Sequence, residues 1–288
     1  VREEVRSALL ARRDRRVRPM RDDKVIVAWN ALTIEALARA AMVFGRPDWL
    51  AAAVAAADFI VHTHMDVDGR LHRVSRDGKA AVHAPAVLED YALLAKALAL
   101  LSQACGEQAW LDLASGLLEV VRADFTNPDL GELADSSAEI RQSLGLSHAA
   151  ADPTDNVTPS GWAATVDAAV TVSSLTNDTD VRSWAQLLAA GLVDLVAEHP
   201  RFAGRAASVL TAMLDGPREV AIAAAADSAV TRLVVGMTAP GAVYSFDPES
   251  ALLQGRVADS GLVYVCRQFT CNAPTSDLEQ LRALLAIR

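Results

Sequence analysis

One stretch decides the fold: PAVLEDYALLAKALALLSQAC (85–105), followed after Gly106 by EQAWLDLASGLLEVVRAD (107–124). In the first segment Val87, Leu88, Leu93, Leu94, Leu98, Leu100 and Leu101 point in almost every direction around a helix, which predicts burial nearly all round. In the second, Trp110, Leu113, Leu117 and Val121 form one stripe, while Asp112, Ser115, Glu119 and Arg122 occupy the remaining surface. A fully apolar inner helix followed by a half-polar outer helix is what concentric α-hairpins require.

The contrast repeats outward from this pair. Residues 26–44 stand against 48–62 in the same way, and 159–175 against 181–198, where Val181, Trp184, Leu188, Leu192 and Leu195 make the outer stripe. Further helices are expected at 3–13 and 202–214, and Gly45-Arg46-Pro47, Asn127-Pro128, Asn177-Asp178 and His199-Pro200 supply breaks. Residues 70–74, between Asp68-Gly69 and Asp77-Gly78, read as a small ribbon with tight turns. After Pro217 the pattern changes to strands at 219–223 and 262–266 and a last helix at 276–287. The expected fold is all-α dominated, an α/α toroid of helical hairpins over residues 1–216, with a small α/β appendage over 217–288.

Composition narrows the partners. Asp plus Glu number 36 against 27 Lys plus Arg, a net charge of −9, and an acidic chain repels nucleic acid. The basic run Arg12, Arg13, Arg15, Arg16 and Arg18 reads as a solvated helix end. The longest apolar runs, such as 50–57, are too short for a membrane span, and the first four residues lack a signal-peptide core. Three cysteines, an odd number, fit a reducing compartment, so a cytoplasmic location is expected. Cys266 and Cys271 read as buried thiols without exchange activity, with Arg267 the nearby cation in sequence. Asp66-Val67-Asp68-Gly69 reads as a turn rather than a calcium loop, and no metal or cofactor is expected.

Three polar segments interrupt the apolar helices. Arg21-Asp22-Asp23-Lys24 precedes Trp29-Asn30, where Asp23 reads as a helix cap and Trp29 as core or as a face that stacks on a sugar ring. Leu88-Glu89-Asp90-Tyr91 sets two carboxylates and a phenol in the most apolar helix, and such groups need a cavity or a basic partner. Asp155-Asn156-Val157-Thr158-Pro159-Ser160-Gly161 predicts a helix start with Thr158 as the N-cap and Pro159 first in the helix.

With Tyr264-Val265-Cys266-Arg267 to Cys271-Asn272-Ala273-Pro274, these segments form an ordered set that resembles the thioredoxin-domain-containing family that includes spermatogenesis-associated protein 20. The resemblance runs from about Val5 to Leu285; Ala31 and Trp162 depart from it, standing where Gly and Asn are usual. It implies a thioredoxin-like domain followed by a six-hairpin α/α toroid similar to N-acylglucosamine 2-epimerases and six-hairpin glycosidases. This chain would then be an incomplete toroid without that domain and without the first hairpins, and its exposed edge predicts self-association.

Two functions compete, and the sequence leaves open whether the chain is an enzyme. One is a carbohydrate-active domain, epimerase- or glycosidase-like, with Glu89 and Asp90 as acid and base and with Asp23, Trp29, Asn30, Tyr91, Asp155 and Asn156 binding a sugar or other small neutral ligand. The other is a non-catalytic ligand- or protein-binding or structural module that accompanies a thioredoxin-like domain.

Overall fold

The computed structural model describes residues 2–127, 131–146, 150–236, 239 and 241–286, so Val1, Pro128 and Ile287 of the expected elements lie outside the described residues. The helices are α1 (Arg2–Asp14), α2 (Val27–Phe44), α3 (Pro47–His64), α4 (Leu88–Cys105), α5 (Gln108–Asp124), α6 (Ala138–Ser143), α7 (Gly161–Thr176), α8 (Thr179–Ala190), α9 (Val193–Glu198), α10 (Gly204–Asp215), α11 (Ala229–Gly236) and α12 (Leu278–Leu285). The strands are β1 (Val25–Ile26), β2 (Val74–Arg76), β3 (Lys79–Ala80), β4 (Thr126–Asn127), β5 (Glu132–Leu133), β6 (Arg218–Ala223), β7 (Val243–Ser245), β8 (Leu262–Arg267) and β9 (Thr270–Cys271).

Helices α2, α4, α7 and α10 pack side by side as an inner layer, and α3, α5 and α8 lie outside against α2, α4 and α7. This is an α/α toroid arrangement. Burial follows the sequence contrast: α4 buries fourteen of its 18 residues and α7 fourteen of its 16, whereas α5 buries six of its 17. Leu93, Leu94, Leu98 and Leu101 of α4 are at most 1% exposed, and each contributes about 1.5–3 kcal/mol of burial. The contrast is weaker for the first hairpin, where α2 buries six of 18 residues and α3 four of 18. The reason is local: Trp29, Val43 and Phe44 of α2 face solvent. By length and composition alone α2 could cross a membrane, which corrects the expectation that no apolar stretch is long enough; here it carries Glu35 and packs on α3 and α4.

Three of the departures from expectation have local causes. Helix α7 starts two residues late, with Ser160 as N-cap accepting from Ala163 N at 3.1 Å, because Asp155 Oδ1 takes Ser160 N (2.9 Å) and Ser160 stays extended. A side chain at Gly161 would be crowded: a Cβ would meet Glu89 N and Leu88 Cγ at 3.0 Å, since the starts of α7 and α4 press together. The helix expected over 181–198 breaks into α8 and α9 around Gly191. Trp162 drives the break: its Nε1 donates to Leu188 O at 3.0 Å, and a Cβ at 191 would lie 2.8 Å from its ring. The ribbon falls at 74–80 rather than 70–74, with Asp77 and Gly78 in the left-handed region (φ 50° and 72°), while Leu71 is buried and its N–H donates to Tyr91 Oη.

The appendage is a four-stranded sheet in the order β7-β6-β8-β9, with β6 buried along its length and α11 and α12 packed together beside it. Cys266 and Cys271 are a disulfide, which corrects the expectation of two thiols, and Cys105 is free. The cause is register: the β8–β9 hairpin sets Cys266 directly opposite Cys271, a cross-strand closeness that spacing alone does not reveal.

Candidate functional site

The inner helices α2, α4 and α7 start close together, and the start of α4 is built around Arg73 from the segment before β2. Its Nη1 donates to Asp90 Oδ2 (2.8 Å) and its Nη2 to Glu89 Oε1 (2.6 Å). Asp90 is fully buried; its Oδ1 accepts Ala28 N at 3.0 Å and its Oδ2 accepts Val87 N at 3.0 Å. It therefore caps both its own helix and α2, the role expected of Asp23. Burial raises the Asp90 carboxyl above the usual range, opposed by Val87 N, Arg73 and Ala28 N. Glu89, 22% exposed, reaches the opposite way, where its Oε2 accepts from Thr158 Oγ1 at 3.2 Å.

Asp155 joins the next two helix starts. Its Oδ1 holds Ser160 N and its Oδ2 accepts Arg205 N at 2.7 Å, so one carboxylate satisfies the N–H beside α7 and one in the first turn of α10. Between these starts lies a cavity of about 390 Å³ lined by Asp155, Asn156, Thr158, Arg205 and Ser208.

The remaining predicted residues divide. Asn156 is exposed on the cavity wall. Trp29 lies one residue beyond Ala28 and is 56% exposed, and Asn30 Nδ2 donates to Ile26 O (2.9 Å). Asp23 is not joined to this cluster; Arg76 of β2 binds it at 2.6 Å and holds its carboxyl below the usual range. Tyr91 is buried against Phe125, with its hydroxyl engaged by the Leu71 N–H at 2.8 Å.

Deeper in the inner layer lies a charged centre that sequence reasoning missed. Lys96 Nζ meets Asp167 Oδ1 at 2.8 Å and Thr171 Oγ1 at 2.6 Å. Arg205 Nη1 meets Asp167 Oδ2 at 2.7 Å, and its Nη2 lies 3.7 Å from Glu35 Oε2. All four inner helices contribute one charge each. Burial alone would raise the Asp167 carboxyl, but Lys96 and Arg205 hold it below the usual range. The available signal was a lone charge in the body of each of two apolar helices, Lys96 and Asp167. Among the described residues, no group of three or more His, Cys, Asp or Glu side chains is placed to hold a metal ion.

No family model matches the chain. It is 26% identical over 299 residues to spermatogenesis-associated protein 20 of Homo sapiens, covering 96% of this chain and 38% of that protein. The Mus musculus protein of the same name is 26% identical over 286 residues, covering 92% of this chain and 36% of that one. The chain thus spans a little over a third of these relatives, and the resemblance read from its motifs is borne out. Among solved structures, a sugar epimerase from a ruminal bacterium superposes with a TM-score of 0.50 at 19% identity, over 60% of this chain and 44% of that one. What they share is the α/α-toroid fold.

Proposed function

We propose that this chain binds a neutral, hydroxyl-rich ligand of the sugar class in the cavity between the starts of α7 and α10. The observation that carries this reading is the cavity wall: Asp155 is held by the backbone N–H groups of Ser160 and Arg205, and Asn156, Thr158 and Ser208 offer short polar groups beside it. The guanidinium of Arg205, the cation among the lining residues, is already taken by Asp167, which disfavours an anion, while pre-ordered donors and acceptors suit hydroxyl groups. The toroid sugar epimerase of similar fold lends the ligand class by analogy.

Recognition is favoured over chemistry because the carboxylates are occupied. Asp90 accepts from two backbone N–H groups and Arg73, Asp155 from two backbone N–H groups, and Glu89 from Arg73 and Thr158. A general acid must present a carboxyl oxygen to the substrate, and these oxygens are engaged by the protein's own donors.

A panel of mono- and disaccharides titrated against the chain by NMR tests the reading. Asn156→Ala should weaken the best ligand about tenfold, the loss of roughly one hydrogen bond, and leave the fold intact because Asn156 is exposed. Binding that survives Asn156→Ala and Ser208→Ala unchanged would move the site. Epimerisation or hydrolysis of any panel member, lost in Glu89→Gln, would restore the catalytic reading.

A further inference from the structure

The end of the appendage holds a second arrangement, independent of the cavity. Strands β8 and β9 are joined by Gln268 and Phe269, both in the left-handed region (φ 49° and 58°), a tight two-residue turn that neither residue favours. The turn is held from outside: Phe269 N donates to Glu219 Oε2 at 2.6 Å, and the Arg182 guanidinium lies 5.6 Å from the Phe269 ring centroid. Glu219, 1% exposed, faces Cys266 across the β6–β8 ladder. The disulfide sits at the base of this turn with Cys266 buried and Cys271 exposed.

The cation beside the sulfurs is Arg256, and it comes from the loop before β8. Its Nη2 lies 3.0 Å from Cys271 Sγ and 3.3 Å from Cys266 Sγ. Arg256 is itself tethered: Nη1 donates to Leu252 O, and the guanidinium lies 4.8 Å from the Tyr264 ring centroid. Arg267, the neighbour in sequence, turns away to Asp215. A guanidinium fixed against two sulfurs favours the thiolate over the thiol at either one.

We infer that Cys266–Cys271 is a thiol–disulfide exchange site, entered by a dithiol at the exposed Cys271 sulfur and assisted by Arg256. One thiolate of the dithiol attacks Cys271 Sγ. The Cys266–Cys271 bond breaks as the mixed disulfide forms, and the electron pair leaves on Cys266 Sγ beside Arg256. The second thiol of the reagent, its proton given to water, displaces Cys271 Sγ and closes the reagent's own disulfide. The chain gains two electrons, the dithiol loses two, and the cysteine thiolates take up protons from water according to pH.

The experiment uses dithiothreitol as the reductant and iodoacetamide across a range of pH, with each cysteine followed by peptide mass spectrometry on the full chain. The oxidised chain should be reduced and, with the reductant removed, should close again under oxidised glutathione. In the reduced chain, alkylation of the pair should have a midpoint below the ordinary thiol value of about 8.5. Glu219 and Tyr264 face Arg256, so Arg256→Met is read against Arg256→Lys, which keeps the charge. The Met variant should raise the midpoint by about one unit or more and slow reduction by dithiothreitol, and the Lys variant should restore part of both. Cys105, whose thiol burial pushes up, serves as the internal reference with a higher midpoint. A pair that never closes under oxidised glutathione overturns the proposal. So does a wild-type midpoint at or above the ordinary value, which is read without any variant, or a midpoint and rate unchanged in Arg256→Met.

Discussion

Asp90 and Asp167 are both buried carboxylates on inner helices, and their environments push them in opposite directions. Asp90 shares one guanidinium with Glu89 and rests mainly on the backbone N–H groups of Val87 and Ala28. Asp167 has Lys96 on one oxygen and Arg205 on the other. At Asp90 burial wins and the carboxyl is raised; at Asp167 two cations win and it is lowered. The lesson is one of ratio. A buried carboxylate is held ionised by the number of full charges that face it, whereas backbone N–H groups position it without fully offsetting its desolvation.

The sharpest way to break this comparison is to remove Asp167. In Asp167→Ala, Lys96, 9% exposed, and Arg205, 21% exposed, lose their common partner, and Arg205 keeps only the longer contact to Glu35. Breaking a buried pair in this way costs about 3–5 kcal/mol, read as a fall in the urea midpoint. A loss below about 1 kcal/mol would show that water reaches the centre and screens it.

Next in size is the pH dependence, where the two residues should differ in sign. Asp167 has a depressed folded-state pKa, so its ionisation adds stability that is fully present above the unfolded value of about 3.9 and is lost as pH falls through the folded value. Asp90 has a raised one, so its contribution is fully present below about 3.9 and declines as pH rises through the folded value. Unfolding of Asp167→Asn and Asp90→Asn against wild type, from acid to neutral pH, separates them. The deficit of Asp167→Asn should widen with rising pH, and that of Asp90→Asn should narrow. Parallel curves would erase the distinction.

The smallest effect is expected at the surface. Asp23 and Arg76 pair at 2.6 Å, but their side chains are 36% and 58% exposed, so Asp23→Asn should leave the urea midpoint unchanged within error. A measurable loss would mean that the β1–β2 pairing beside α2 depends on this contact.

Much of the scaffold was legible because it is a matter of period. The leucines of α4 surround their helix and those of α5 make a stripe, and burial follows without knowledge of any partner. The polar segments at the helix starts were legible too, and Glu89 does adjoin the loop after Asp155 through Thr158. Their roles were not. Which donor faces a carboxylate depends on what the fold sets opposite, and Arg73 precedes a ribbon that falls later in the chain than expected. Trp162 shows the same limit: it reads as one more apolar residue of an inner helix, yet its N–H ends α8 by taking the Leu188 carbonyl.

The sequence by itself determined the alternation of inner and outer helices, the change of pattern after Pro217 and the likeness to a known family, because these rest on local spacing and on order along the chain. Only the tertiary structure decided the charged centre of Glu35, Lys96, Asp167 and Arg205, the cap that Asp90 lends to α2, and the placing of Arg256 on the two cysteines. Periodicity tells a helix which face to bury. It does not say which charge, from a helix many residues away, will stand across from that face, and ionic pairing inside a protein is settled by that opposition over a few ångströms.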